Sequence, residues 1–184
     1  MPETHALLSP SAAHRWMHCT ASPTVEAMLP DPGSPYAAEG TLAHAIAELK
    51  LRKAFVKPMG PKKFADRLKK IQEDPAYNPE MLPHTDAEAR LDLSSIAPDC
   101  FGTADCLIIG GNDLHVIDFK YGKGKQVDAE ENPQLRLYGI GAVLANSLFY
   151  DIHTVHLHIF QPRLDHVSTE TIDRDELMDW GVFQ

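Results

Sequence analysis

The alternation of hydrophobic and polar residues in the second half of the chain predicts a β-sheet. The segment EARLDLS, residues 88–94, places Ala89, Leu91 and Leu93 at every second position, which is typical of a strand with one buried face. The residues GGND at 110–113 favour a hairpin turn between two neighbouring strands. Four further segments predict strands: 100–110, 113–122, 151–162 and 165–173.

A Pro/Gly-rich break, LPDPGSP, precedes the first long helix that the sequence predicts. Ser34 and Pro35 suit its N-cap and first turn, and the helix is expected to continue to Phe55. Three apolar residues at helical spacing predict one apolar stripe along this helix: Leu42, Ile46 and Leu49. Lys53 follows them at the same spacing. The remaining segments predict a basic helix over 61–73, a Pro-rich loop over 74–86 and a helix over about 129–148.

These elements suit one domain of the α/β or α+β class spanning residues 1–184, with residues 1–33 as an N-terminal lead segment. No apolar run approaches the roughly 18 residues that span a bilayer. The first residues, MPETHALLSP, do not form a basic segment followed by an apolar one. A cytoplasmic location is therefore the default expectation. The last residues, DELMDWGVFQ, begin a helix, which favours a missing C-terminal part.

The charge of the chain is acidic overall but unevenly distributed. The formal net charge is −9, which disfavours a general nucleic-acid binder because phosphate contacts need cations. Residues 50–70, however, hold nine of the 17 Lys and Arg residues and one acid, Asp66. Lys123 and Lys125 add positive charge beside Lys120. A basic face of this kind can steer a polyanion, and a solvated amphipathic helix is the alternative interpretation.

The segment HVIDFKYGKGK, residues 115–125, places two charges on a strand that is otherwise apolar. Residues two apart in a strand share a face, so Asp118 and Lys120 are expected to point the same way. Burying charge is costly unless it is paired or binds a metal. The hairpin would bring Asp105 within reach of Asp118, and two close carboxylates repel each other unless a cation lies between them. The pattern therefore indicates a site.

The residue types around this hairpin favour a particular metal. A pair of carboxylates suits Mg²⁺ or Mn²⁺, and His44, on the first long helix, can add a nitrogen ligand that tilts the choice towards Mn²⁺. Such a metal polarises a phosphoryl oxygen and lowers the pKa of bound water. Lys120 would position that water or neutralise charge that develops on the phosphate. A D-x-K on an exposed strand face remains the alternative for these residues taken singly.

Five segments in combination resemble a known family: LSPSAAHRWMHC (8–19), EGTLAHAIAE (39–48), FGTADCLII (101–109), VIDFKYGKG (116–124) and NPQLRLYGIGA (132–142). The chain resembles the RecB-like branch of the PD-(D/E)XK nuclease superfamily, which includes the CRISPR-associated RecB-type exonucleases. It is most similar to a phage and prophage subfamily of that branch. The resemblance spans about residues 8–160. It implies a restriction-endonuclease-like core, a central mixed sheet flanked by helices.

The resemblance also implies a role for each matching residue. His44, Asp105 and Asp118 would be metal ligands, and the backbone carbonyl of Phe119 would complete the inner shell. Asp105, Asp118 and Lys120 would form the catalytic set, with Lys120 as the catalytic lysine. The Q-x-x-x-Y residues would contact the DNA backbone, and the basic residues after the D-x-K are expected to bind DNA as well. Those four residues are Gln134, Tyr138, Lys123 and Lys125, and Glu39 would support the helix near the site.

The cysteines depart from the family pattern. Many relatives carry a [4Fe–4S] cluster on one cysteine before the first helix and three after the Q-x-x-x-Y helix. Cys19 matches the first, but no cysteine follows Cys106, so four cysteine ligands are not available in this chain. Either this branch lacks the cluster or the chain is a fragment of a longer protein. Cys100 and Cys106 are expected to pack in the core.

Three histidines near the fourth predicted strand raise the alternative of zinc. His156 and His158 share a strand face, and His153 lies nearby. No cysteine or third ligand follows them at a suitable spacing, which disfavours a zinc site built from this segment alone.

The expected function is a metal-dependent deoxyribonuclease that hydrolyses phosphodiester bonds, with DNA as its partner. Exonuclease action in phage or prophage DNA recombination or processing is favoured by the resemblance alone. The alternatives are a catalytically silent DNA-binding module and a scaffold in a recombination complex. A recombination partner protein or a homo-oligomer is compatible with either.

Overall fold

Five strands in the computed structural model form one mixed sheet, and the order of the strands in the sheet is their order in the chain. The structure describes residues 6–29, 33–55 and 84–182. The strands are β1 His84–Asp92, β2 Phe101–Gly110, β3 Asp113–Phe119, β4 Thr154–Gln161 and β5 His166–Asp173. The α-helices are α1 Ala13–Trp16, α2 Ser22–Ala27, α3 Pro35–Phe55, α4 Pro133–Asn146 and α5 Arg174–Val182.

The only parallel pair in this sheet, β3 and β4, is joined by the long helix α4. The other neighbours, β1–β2, β2–β3 and β4–β5, are antiparallel. Parallel strands cannot be joined by a tight turn, so the chain must cross over one face of the sheet. This crossover brings α4 beside the end of β3, where Asp118 and Lys120 lie. The expected mixed sheet flanked by helices is therefore confirmed at this level.

The hydrophobic core lies between the sheet and α4. Leu135, Leu137 and Ile140 of α4 are fully buried, as are Val116 and Leu157 of the central strands. Two glycines allow the helix to approach the sheet closely. A Cβ added at Gly141 would lie 3.0 Å from Leu91 Cβ, and one at Gly139 would lie 3.2 Å from Leu157 Cδ2.

The predicted strands and the hairpin are confirmed, with changed bounds. Gly110 pairs with Asp113 across the turn, and Gly111 has a φ of 61°, which glycine adopts without strain. The first strand begins at His84, so the loop predicted over 74–86 was wrong at its end. β3 ends at Phe119 and Lys120 follows it, which corrects the placement of Lys120 on the strand.

The helix predictions also need correction. Ser34 caps α3 as predicted, because its Oγ accepts a hydrogen bond from the Ala37 amide at 3.0 Å. The apolar stripe predicted on α3 is largely exposed among the described residues: Leu42 is 62% exposed, Ile46 46% and Leu49 67%. The third predicted helix begins later than residue 129 because Asn132 caps it, and it ends at Asn146 rather than 148. The basic helix predicted over 61–73 lies outside the described residues.

No helix within 6–29, 33–55 and 84–182 is both long and apolar enough to cross a bilayer.

The glycine of the G-x-x-D segment is required for space rather than for its backbone angles. A Cβ at Gly102 would lie 2.7 Å from Tyr138 Cε1 and 2.9 Å from Pro10 Cγ. We therefore expect Gly102→Ala to lower the free energy of unfolding by about 1–3 kcal/mol, the usual cost of overpacking. Urea denaturation measures it. Gly122→Ala is the matched control, because a Cβ there meets nothing within 4 Å. Equal stability of the two variants would contradict the prediction.

Candidate metal centre

The ladder between β1 and β2 is interrupted where the candidate site begins. Ala87 pairs with Cys106 and Ala89 with Ala104, but the residues between them, Glu88 and Asp105, are not a bridge pair. Glu88 has a φ of 57°, a left-handed backbone conformation that is uncommon for a residue with a side chain. Such strain is concentrated at functional sites. The break lets both carboxylates leave the regular pleat.

His44 from α3 meets these two carboxylates. Its Nδ1 lies 2.9 Å from Asp105 Oδ1, and one potential ligand atom from each of His44, Glu88 and Asp105 lies within 4.8 Å of the others. The hydrogen bond that the His44 ring donates to the Asp105 carboxylate raises the pKa of His44. Burial, together with the negative charge of Asp105, raises the pKa of Glu88. One imidazole and two carboxylates that are partly buried and close together form a set that a divalent cation would stabilise.

Asp105 also links this group to the D-x-K segment. Its Oδ2 accepts a hydrogen bond of 2.6 Å from the Phe119 amide. Asp105 therefore approaches Asp118, as predicted, by accepting a hydrogen bond from the amide of the next residue, Phe119. The predicted role of the Phe119 carbonyl as a ligand stays a prediction.

Asp118 is the buried carboxylate of the site. It is 3% exposed, and burial raises its pKa. Its Oδ1 accepts a hydrogen bond of 3.0 Å from Gln134 Nε2. Its Oδ2 forms an ion pair of 2.9 Å with Lys120 Nζ. A carboxylate this deeply buried needs a neighbouring positive charge, which Lys120 supplies.

Gln134 connects the two charges of the D-x-K segment. Its Oε1 accepts a hydrogen bond from Lys120 Nζ at 3.0 Å while its Nε2 donates to Asp118. The same Nε2 lies 3.3 Å from the hydroxyl of Tyr138, which is 5% exposed, and burial raises the pKa of that hydroxyl. The direct contact with DNA predicted for Tyr138 is not compatible with this burial. Tyr138 supports Gln134 from behind instead.

The loop after β3 carries the remaining basic candidates. Lys123 and Lys125 are both exposed, as a DNA contact requires. The loop is held from below by Gln161, which is 1% exposed. Its side chain donates to the Lys125 carbonyl at 3.1 Å and accepts from the Val127 amide at 2.8 Å.

The cysteines and Glu39 are not members of the cluster formed by His44, Glu88 and Asp105. Cys100 and Cys106 are buried as predicted, and burial raises the pKa of each thiol to about 11. Cys19 is exposed and is not in a disulfide. Glu39 forms an ion pair of 2.9 Å with Arg163, whose guanidinium lies 4.9 Å from the centre of the Tyr121 ring. This ion pair connects α3 to the segment after β4, and the predicted support of the helix by Glu39 stays a prediction.

A cavity of about 520 Å³ opens beside the site, between α3 and the sheet. His44, Glu88 and Asp105 contribute to one end of it. Its remaining walls are mainly apolar and include Phe119 and Phe160.

Sequence reasoning missed two residues that the structure brings to the site, Glu88 and Gln161. Glu88 occupies a polar position of an alternating strand, and nothing in that alternation indicates the left-handed φ that turns it towards His44. Gln161 had one signal, a polar residue in register with the apolar residues Val155, Leu157 and Ile159 of its strand.

The chain belongs to a family described as "Protein of unknown function (DUF2800)", whose model matches residues 5–88 and 85–182. Among solved structures, one titled "Crystal structure of SSO0001" is similar over 95% of this chain and 70% of that chain. The sequence identity is 15% and the TM-score is 0.35, so this likeness carries no argument about either fold or function.

Proposed function

We propose that this DUF2800 protein is a metal-dependent deoxyribonuclease that hydrolyses phosphodiester bonds on a PD-(D/E)XK-type core. One observation carries the proposal: the donor atoms of His44, Glu88 and Asp105 converge beside a buried Asp118 that is held next to Lys120. If the Asp118–Lys120 ion pair had only a structural role, it would not need the three titratable side chains of this cluster beside it.

The donor set fits Mg²⁺ or Mn²⁺. Carboxylate oxygens are the preferred ligands of both ions, and one imidazole is compatible with Mn²⁺. His44, Asp105 and Glu88 would hold the ion, and the Asp118 carboxylate, paired with Lys120, would lie beside it. A metal bound there would polarise a phosphoryl oxygen and lower the pKa of a bound water.

Lys120 and Gln134 have roles that follow from their own contacts. Lys120 Nζ lies between Asp118 and Gln134, and its side chain is 29% exposed, so it is both oriented and accessible. An oriented ammonium can donate hydrogen bonds to a phosphate oxygen and stabilise the charge that develops on it. Gln134 fixes the ammonium for this task and does not need to contact the substrate.

DNA is the substrate class that the surrounding charges favour. Lys123 and Lys125 are exposed on the loop that follows Lys120, so a phosphate at the site would have further cations next to it. The chain as a whole is acidic, with a net charge of −9, so DNA would be attracted only where basic residues cluster on the surface. Action on DNA ends and a place in phage recombination are supported only by the sequence resemblance. A DNA-binding or scaffold module without catalysis is the alternative.

The test is cleavage of end-labelled linear DNA, single- and double-stranded, in Mg²⁺ or Mn²⁺, with a closed circle in parallel. Asp105→Asn should abolish metal-dependent cleavage, and Glu130→Gln, which changes an exposed carboxylate, should not. Sparing of the circle would identify an exonuclease. Mn²⁺ binding is measured separately by calorimetry. Binding without cleavage would favour the non-catalytic alternative, and neither binding nor cleavage would refute the proposal.

Glu88 should contribute directly to metal affinity. We expect Glu88→Gln to weaken Mn²⁺ binding by about 10- to 100-fold, because a carboxylate ligand becomes a neutral amide of the same shape. Calorimetry measures the change, and Glu130→Gln again serves as the control. Unchanged affinity would exclude Glu88 from the ligand set.

A further inference from the structure

Three histidine side chains lie together on the face of the sheet opposite α4. His115 of β3 is directly across from His156 of β4, and His158 is two residues further along β4. The ring of His115 stacks on both, with centroids 4.5 Å from His156 and 5.4 Å from His158. The alternation of the strands separates these rings from Asp118, which lies under α4 on the other face.

Two ring nitrogens of this cluster have the spacing of ligands on one ion. His115 Nδ1 and His158 Nε2 are 3.1 Å apart. A zinc-type ion binds imidazole at about 2.0–2.1 Å, so two such ligands at tetrahedral or octahedral angles are about 2.9–3.4 Å apart. The observed contact is a hydrogen bond between the two rings, and its length falls in that range, so a cation that replaces the shared proton would not need the nitrogens to move apart.

Threonines of β5 orient two of the three rings. Thr169 Oγ1 lies 2.9 Å from His158 Nδ1, and Thr171 Oγ1 lies 3.0 Å from His156 Nδ1. Each threonine is directly across the β4–β5 ladder from its histidine. A metal-binding histidine usually makes such a hydrogen bond with its second ring nitrogen, which fixes the ring and leaves the first nitrogen for the metal. Here that arrangement directs Nε2 of His158 towards His115 Nδ1 and Nε2 of His156 towards Asp113 Oδ1.

We propose that His115, His158 and His156 form a second metal site, for a borderline divalent ion of the zinc class. His115 Nδ1 and His158 Nε2 bind the ion first. His156 Nε2, now 3.7 Å from Asp113 Oδ1, becomes the third ligand after a rotation of its ring that gives up the hydrogen bond with Thr171. Water completes the shell. Imidazole favours such ions, whereas the carboxylate-rich site on α3 and the hairpin favours Mg²⁺ or Mn²⁺.

The site stands independently of the proposed nuclease activity, because it shares no ligand with it.

The test is competition for Zn²⁺ between the untagged full chain and a colorimetric chelator, with millimolar Mg²⁺ present to occupy the carboxylate site. Wild type should bind one Zn²⁺. His158→Gln and His115→Gln should each weaken binding at least about tenfold, and Thr169→Val, which keeps all three rings, should weaken it by about tenfold. Circular dichroism checks that each variant is folded. His153→Gln is the matched control, because His153 lies beside Asp151 on the exposed surface.

A second measurement separates this site from the other one. Zn²⁺ affinity should be the same in His44→Gln as in wild type, and Co²⁺ should give the visible absorption of a low-symmetry histidine site. Three results would overturn the proposal: no Zn²⁺ bound by wild type, unchanged binding in His158→Gln and His115→Gln, or loss of binding in His44→Gln. The first of these would leave the three rings as a metal-free stack.

Discussion

Replacing Asp118 with asparagine should lower DNA cleavage about 10³-fold and leave the metal-free fold as stable as wild type, or more so. The loss of activity follows because a carboxylate beside the metal contributes several kcal/mol of transition-state stabilisation, and each 1.36 kcal/mol is a factor of about ten in rate. The amide keeps the shape of the side chain and its bond to Gln134. Activity and stability are therefore expected to change in opposite directions.

The stability argument depends on the sign of the Asp118 pKa shift. Burial raises the pKa of Asp118 in the folded protein above its unfolded value. The folded state then binds the proton more tightly, and the stability that this provides is present at low pH and is lost as the pH rises through the folded pKa. At neutral pH the ionised carboxylate is a cost to the fold, because Asp118 is only 3% exposed. Asparagine removes that cost.

Thermal unfolding in EDTA at pH 5 and pH 8 tests this directly. The difference in Tm between Asp118→Asn and wild type should be larger at pH 8 than at pH 5. Asp92→Asn is the control of opposite sign, because hydrogen bonds from Ser94 lower the pKa of this exposed carboxylate. A strong loss of stability in Asp118→Asn at pH 8 would show that the carboxylate supports the fold rather than the chemistry.

Replacing Glu170 with glutamine should lower the free energy of unfolding by about 3–5 kcal/mol, the usual cost of removing one partner from a buried ion pair. Arg136 and Glu170 form a bidentate pair between α4 and β5, and their side chains are only 13% and 10% exposed. Arg136 also lies 5.4 Å from the centre of the Trp180 ring of α5. Glutamine would leave the guanidinium buried without its counter-charge.

A double-mutant cycle with Arg136→Met separates the interaction energy of the ion pair from the cost of burying each residue. The double variant should be destabilised by less than the sum of the two single variants, because it contains no unpaired charge. Glu26→Gln is the matched control: the Arg15–Glu26 pair is 50% and 46% exposed, so its loss should cost below about 1 kcal/mol. Urea unfolding measures all four. Additive single variants would contradict the prediction.

The local pattern of hydrophobic and polar residues was sufficient to predict most strands of the sheet. The alternation in 88–94 and the GGND turn depend on neighbouring residues only, and the strands and hairpin were predicted from them. Asp118 and Lys120 were also identified as candidate site residues, because charge in an apolar strand is informative by itself, and Gln134 was identified through the family resemblance. Their mutual hydrogen bonds depend on how the crossover places α4, which no local pattern contains.

The features that sequence did not predict depend on tertiary structure. The left-handed φ of Glu88 exists because the β1–β2 ladder opens beside His44. His115 was not associated with His156 because their contact depends on the parallel register of β3 and β4, which the crossover sets. The spacing of apolar residues in α3 predicted the helix correctly but not the exposure of their side chains. Spacing shows that apolar residues share one face of a helix, and it does not show whether another element packs on that face.

The attachment of α3 has a consequence for how the protein opens. No described side chain of α3 is fully buried, and a cavity separates part of the helix from the sheet. Its contacts with the rest of the described protein include three polar ones: His44 with Asp105, Arg52 with the Ala87 carbonyl and Glu39 with Arg163. Amide hydrogens of α3 should therefore exchange with solvent faster than those of α4. Metal bound to His44 would slow that exchange, because the ion would hold the helix against the sheet.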